Sequence, residues 1–202
     1  MRIKRSLQAA ALIAAAVVLG LFTVQGTYAL WNASAVAAPG TVSAASFDVA
    51  LTAVNSGQAT NMTLANGTAA NLTLSPAGTL GPGTSVTGGV LVTNNTNAGG
   101  QFNTAITVGQ ATVANTAGGT LASYIIVNAK TATSSTECSS STGYAQIGAG
   151  GIVSPTVGKG GSIVFCFQVS LTSGAPSTVK GQAVNISLPL TARQLCGVPS
   201  GC

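Results

Sequence analysis

The residues that could do chemistry in this chain are few, and the first fact about them is an absence. The 202 residues contain no histidine. That removes the common general base, the His-dependent serine and cysteine triads, and the usual zinc sites. Beyond the first five residues, the only carboxylate side chains are Asp48 and Glu137. A carboxylate pair of glycosidase type would have to be these two. Asp48 falls in an expected strand and Glu137 lies beside an expected disulfide, so neither fits the task. Two carboxylates are also too few for a calcium cage. Ser177-Thr178-Val179-Lys180 matches Ser-x-x-Lys, but the partner motifs that make it catalytic are missing, and it reads as a turn. Gly158-Lys159-Gly160 lacks the Ser or Thr that follows Lys in a phosphate loop. No catalytic residue, metal site or cofactor is assigned, and the expectation is that the protein is not an enzyme.

Four cysteines remain: Cys138, Cys166, Cys196 and Cys202. A zinc site made of all four would want close Cys-x-x-Cys pairs, which are absent. Disulfides are the default for an even count in an exported chain. Three pairings exist. The favoured one joins Cys138 to Cys166, tying a Ser/Thr-rich loop to a core strand, and Cys196 to Cys202, closing a small C-terminal loop. Six Asn-x-Ser/Thr sequons, at Asn32, Asn61, Asn66, Asn71, Asn94 and Asn185, are candidate glycan acceptors. A Thr/Asn-rich β-surface explains them equally well.

Export is written at the start. Arg2, Lys4 and Arg5 precede an apolar run from about Leu7 to Val24. This is a secretory signal and not part of the fold. Three small-residue cuts are open, after Ala29, after Ala35 and after Ala38. Reading the leader as an uncleaved pilin-like helix is weaker, since Arg5-Ser6-Leu7 lacks the glycine expected before such a cut.

Composition narrows what the exported part does. Charged residues make up 4% of the chain, against roughly 25% in typical soluble domains. Past the leader, Lys130, Lys159, Lys180 and Arg193 oppose Asp48 and Glu137, a net charge of +2. Four scattered cations do not make a nucleic-acid surface or a polybasic membrane patch. A nearly uncharged surface offers little repulsion against self-association.

The elements that must position these residues are strands. Phe47, Val49 and Leu51 alternate with polar or small neighbours, as do Leu72 and Leu74, Val90 and Val92, and Ile106 and Val108. Tyr124–Val127 is a continuous apolar run, expected to be covered on both faces. Ile163 to Leu171 is the clearest strand. Val184, Ile186, Leu188 and Leu190 share one face, with Pro189 marking an edge or a strand end. Gly- and Asn-rich turns separate these runs. A short helix is expected near Ala111–Leu121 and a long loop over Glu137–Gly151. The spacing predicts an antiparallel β-sandwich of about eight strands, and it does not separate a jelly roll from an immunoglobulin-like order.

The start of the chain also resembles a known family. The signal is followed by Thr27-Tyr28-Ala29, then Trp31-Asn32, Gly40-Thr41 and Phe47-Asp48-Val49-Ala50-Leu51. This succession is similar to the TasA/camelysin family of matrix-fibre proteins. The resemblance extends loosely through Phe165-Cys166-Phe167-Gln168-Val169 and Thr191-Ala192-Arg193-Gln194. It implies a jelly-roll-like antiparallel sandwich, cleavage between Ala29 and Leu30 by a dedicated SipW-type signal peptidase, and secretion to an extracellular fibre or the cell surface. The metalloprotease activity associated with camelysin is not carried over, because no His-Glu-x-x-His exists here.

The division that follows is a signal over 1–29, a donor-strand segment over 30–42 and a sandwich domain over 43–202. Leu30, Trp31, Asn32, Ala33, Ser34, Ala35 and Val36 would add as a strand to the next subunit, with Trp31 as anchor. The expected function is a fibre or pilus subunit that polymerises head-to-tail with itself, for biofilm or cell–cell cohesion, with minor fibre or anchor proteins as further candidate partners. The alternative is a monomeric surface binding module whose ligand loop includes Glu137–Gly151 and Tyr144.

Overall fold

The computed structural model describes Gln8 and residues 11–19, 46–74, 79–98, 100 and 102–195. The expected cleavage site, the donor segment 30–42, the sequon at Asn32, and Cys196 and Cys202 lie outside the described residues. The chain divides into two units, Met1–Ser43 and Ala44–Cys202. In the first, residues 11–19 are helical. Among the described residues, no helix is long and apolar enough to cross a membrane.

The second unit is an all-β antiparallel sandwich, as its alternating runs predict. Its strands are β1 (Val49–Ala53), β2 (Ala59–Asn61), β3 (Ser85–Asn94), β4 (Thr104–Val108), β5 (Thr112–Asn115), β6 (Ile125–Ala132), β7 (Ala145–Gln146), β8 (Ile152–Val153), β9 (Ser162–Leu171), β10 (Val184–Ser187) and β11 (Leu190–Gln194). The larger sheet has the order β2-β1-β3-β9-β6-β7. The other layer is β11-β4-β8 together with β10-β5.

These last pairs form one long ribbon. Residues 104–115 run antiparallel to residues 184–194, interrupted where 109–111 face 188–189. The extra residue makes a bulge. Pro189 sits in the break, where its missing N–H costs no ladder bond, and its carbonyl accepts from Gly109 N at 2.8 Å.

The inner faces of both layers share one core. Val49, Leu51, Val90, Val92, Phe165 and Phe167 from the larger sheet meet Ile106 and Val108 from the ribbon. Phe165 is fully buried. Strand β9 reads as a near-continuous apolar run because it is central and covered on both sides. Its odd residues Ile163, Phe165 and Phe167 enter the main core. Its even residues Val164 and Cys166 join a second cluster with Ala132 and Cys138 on the outer face.

The neighbour order is informative. Strands β1-β3-β9-β6 lie side by side in the order A-B-E-D of an immunoglobulin-type sandwich. The ribbon of β4/β5 with β10/β11 takes the places of C and F. The seventh strand of that plan, G, would lie beside β10/β11. Among the described residues nothing pairs there.

Two local expectations are corrected. Ala111–Leu121 is not helical: Thr112–Asn115 is β5, and a 3-10 turn follows at Leu121–Tyr124. The ladder with β10 overrides the helix propensity of the alanines. The run Tyr124–Val127 is not covered on both faces, since Ile126 is 40% exposed.

Candidate functional site

Several of the groups singled out for chemistry serve structure. Ser134 and Glu137 form a capping box on the 3-10 turn Ser135–Ser139. One Glu137 carboxylate oxygen accepts from Thr133 Oγ1 at 2.8 Å, Ser134 N at 2.9 Å and Thr133 N at 3.1 Å. The Thr133 hydroxyl, then the Ser134 amide, hold this carboxyl below its ordinary range. Asp48 lies just before β1, where its carbonyl accepts from Asn95 N. Ser177–Val179 is a 3-10 turn with Lys180 exposed beyond it. Lys159 donates to Ala98 O at 2.8 Å. Among the described residues, no three His, Cys, Asp or Glu side chains cluster as a metal site would require.

The turn capped by Glu137 carries Cys138 onto the outer face of the larger sheet. There it is disulfide-bonded to Cys166, with the Cα atoms 5.0 Å apart. This is the pairing expected from the loop-to-strand argument. Tyr144 closes the same loop: its hydroxyl donates to Cys138 O at 2.7 Å, and Lys130 Nζ lies 4.5 Å from its ring centre. Partial burial pushes the Tyr144 phenol up. The loop proposed as a ligand surface therefore folds back on the sheet, and its aromatic is already occupied.

Gly89 makes room for this disulfide. It pairs with Cys166 in the ladder, and a Cβ on it would meet Cys138 Sγ at 3.0 Å and Phe165 O at 3.2 Å. Gly89→Val is expected to cost about 1–3 kcal/mol through overpacking, read as a lower urea midpoint. An unchanged midpoint would contradict this packing account.

The sequons divide by burial. Asn61, Asn66, Asn71 and Asn185 are exposed. Asn94 is fully buried, and its Nδ2 donates to Phe102 O at 2.8 Å and Val157 O at 3.2 Å. That nitrogen is the atom a glycan would need, so Asn94 is corrected from a candidate acceptor to a structural tie. It joins loops at one end of the sandwich, and its Oδ1 accepts from Thr96 N at 3.2 Å. Asn94→Ala removes the Asn94 donor from Phe102 O and the acceptor of Thr96 N, while Val157 O keeps Thr104 N and Oγ1, and it is expected to destabilise by about 1–3 kcal/mol in equilibrium unfolding. A loss within a few tenths would show that these bonds do not matter.

What is left as a site is a concavity, not a catalytic constellation. A groove of about 800 Å³ opens between residues 69–74 and residues 184–190. Its floor is lined by the core residues Leu51, Val90 and Phe167 and by the half-buried Val169. Gly88, opposite Phe167 in the ladder, lets the groove reach that ring. Asn71 and Asn185, both exposed, lie on its opposite walls. The sequence places Val184, Ile186, Leu188 and Leu190 on one apolar face; in the fold these residues line the groove, and among the described residues no strand pairs beside them, which no local pattern signals.

Compared with known protein families, with characterised proteins and with solved structures, the chain matches none. The class defined by fold and site is an all-β sandwich whose β10/β11 edge, among the described residues, has no neighbour and lies by an apolar groove. Function is argued from that geometry.

Proposed function

We propose that this chain is the structural subunit of an extracellular fibre or pilus, polymerising head-to-tail through its mature N-terminal segment. The observation that carries the reading is the edge of β10 and β11, beside which no strand pairs among the described residues. An edge of that kind offers its outward backbone groups to an added strand. Natural β-proteins normally cover or charge such an edge. Here only Arg193 is charged along residues 184–194.

The rest agrees. The surface has little charge to resist association, and Glu137, Cys138, Cys166, Tyr144 and Lys159 serve the fold. The leader would hold the tail at the membrane until a SipW-type peptidase releases it. A tail that pairs with a different surface on the next copy makes a heterologous contact, which continues as an open filament. Such a fibre serves cohesion in a matrix. The test is sedimentation of the chain beginning at Leu30 under oxidising conditions. Polymer that grows with concentration is expected. A monomer at every concentration would overturn the proposal in favour of a surface binding module.

A further inference from the structure

We infer that Asn66 is the glycan acceptor of the folded domain, and that Asn61, Asn71, Asn94 and Asn185 stay bare. The inference does not rest on the fibre reading above. As sequence these Asn-x-Ser/Thr sites are alike, and the backbone beneath them separates them.

In extended backbone, residues i and i+2 point to one face but stand about 6–7 Å apart. The sequon hydroxyl is then far from the asparagine amide. Asn61 lies in β2 and Asn185 in β10. Asn71 and Thr73 belong to a run whose burial alternates as a strand's does. No hydrogen bond joins any of these three asparagines to its own sequon hydroxyl. Asn94 is fully buried with its Nδ2 committed to two carbonyls.

Asn66 sits instead at the tip of a hairpin. Leu64 N donates to Thr68 O and Gly67 N to Leu64 O, both at 2.8 Å. Gly67 has φ +81°, the left-handed position that a three-residue hairpin loop needs. This turn folds Thr68 back onto Asn66. Thr68 Oγ1 donates to Asn66 Oδ1 at 2.7 Å, and Thr68 N donates to the same oxygen at 3.0 Å. The amide oxygen is held by both donors, and Nδ2 has no partner within the chain. Residues 63–69 are all exposed, and a Cβ on Gly67 would meet nothing within 4 Å. A transferase therefore has room to approach.

The held oxygen suits the chemistry. An amide nitrogen is a weak nucleophile, because its lone pair is delocalised toward the oxygen. Two donors on Oδ1 stabilise the charge that develops there when a proton leaves Nδ2. The transfer joins Nδ2 to the anomeric carbon of a sugar carried on a lipid diphosphate. The bond from that carbon to the diphosphate oxygen breaks, the electron pair leaves with the diphosphate, and the Nδ2 proton goes to the transferase's base. The product fits this chain. A sugar adds neutral, hydrated bulk to a protein in which only 4% of residues are charged. Asn71 and Asn185 line the groove and Asn66 does not, so the groove walls stay clear.

The experiment is mass spectrometry of intact glycopeptides, made by elastase digestion of the protein secreted by its own cells. The expected result is sugar on peptides carrying Asn66 and none on those carrying Asn61, Asn71, Asn94 or Asn185. Asn66 left bare, or converted only to aspartate, would overturn the inference. Sugar on Asn94, or on the extended sites as often as on Asn66, would mean transfer to the unfolded chain and would overturn it as well. Gly67→Val supplies the second variant. It keeps Asn-x-Thr intact but puts a branched side chain where the backbone is left-handed. Its circular dichroism spectrum is expected to be unchanged, since nothing lies near that position, and sugar at Asn66 is expected to fall at least about fivefold. Undiminished sugar would show that the turn does not select the site.

Discussion

Deleting Leu30–Ala38 from the mature chain is expected to leave a folded monomer that no longer polymerises. Among the described residues the core begins at Val49. What the deletion removes is the segment proposed to join the next copy. Each ladder bond is worth about 1 kcal/mol net, and a buried tryptophan adds roughly 2–3 kcal/mol. Four or five such bonds with one anchor correspond to at least about a thousand-fold in the association constant. Circular dichroism and unfolding would confirm the intact domain, and sedimentation would read the polymer. Filaments of ordinary yield from the deleted chain would place the contact elsewhere.

Loss of the Cys138–Cys166 disulfide is expected to be the largest stability effect. The bridge closes a loop of sequence separation 28, for which the chain-entropy estimate is about 3.5 kcal/mol. Burial adds to it. Cys166 is fully buried and Cys138 is 5% exposed, packed with Val164 and Ala132. When the bridge is lost, the loop over the outer face is still held by the Glu137 cap, the Tyr144 contacts, the bonds from Lys130 Nζ to Ser140 O and Thr142 O, and the pairing of β7 with β6. The double variant Cys138→Ala, Cys166→Ala should therefore lower the unfolding free energy by about 3–5 kcal/mol in urea. A change below about 1 kcal/mol would mean that the outer-face cluster holds without its bridge. Reduction during assembly should also lower filament yield, because the ladder from β9 to β3 frames the groove floor.

Much of this fold is legible in single residues and their spacing. The alternation from Ile163 to Leu171 places Phe165 and Phe167 inward and Cys166 outward, as found. The disulfide follows from one cysteine on that outer face and one in the loop across it. Pro189 marks the end of β10, as its missing donor requires. The failures have a common cause. Ala111–Leu121 has helix-forming alanines, but its partner, β10, comes about seventy residues later in the chain, and pairing at that distance leaves no local trace. Ile126 sits in an apolar run without being covered, because the disulfide loop packs over Ala132 and Cys166 further along. Asn94 carries a sequon like the others, and only the carbonyls of Phe102 and Val157 reveal its different use. The groove was illegible for the same reason. Leu51, Leu72, Val90, Phe167 and Ile186 meet only after the sandwich closes.

Negative-stain electron microscopy of the purified chain beginning at Leu30, held under oxidising conditions, tests the central claim most directly. Regular filaments of constant width, lost when Leu30–Ala38 is removed, are the predicted result. Well-folded single particles that never polymerise, even at high concentration, would contradict the account.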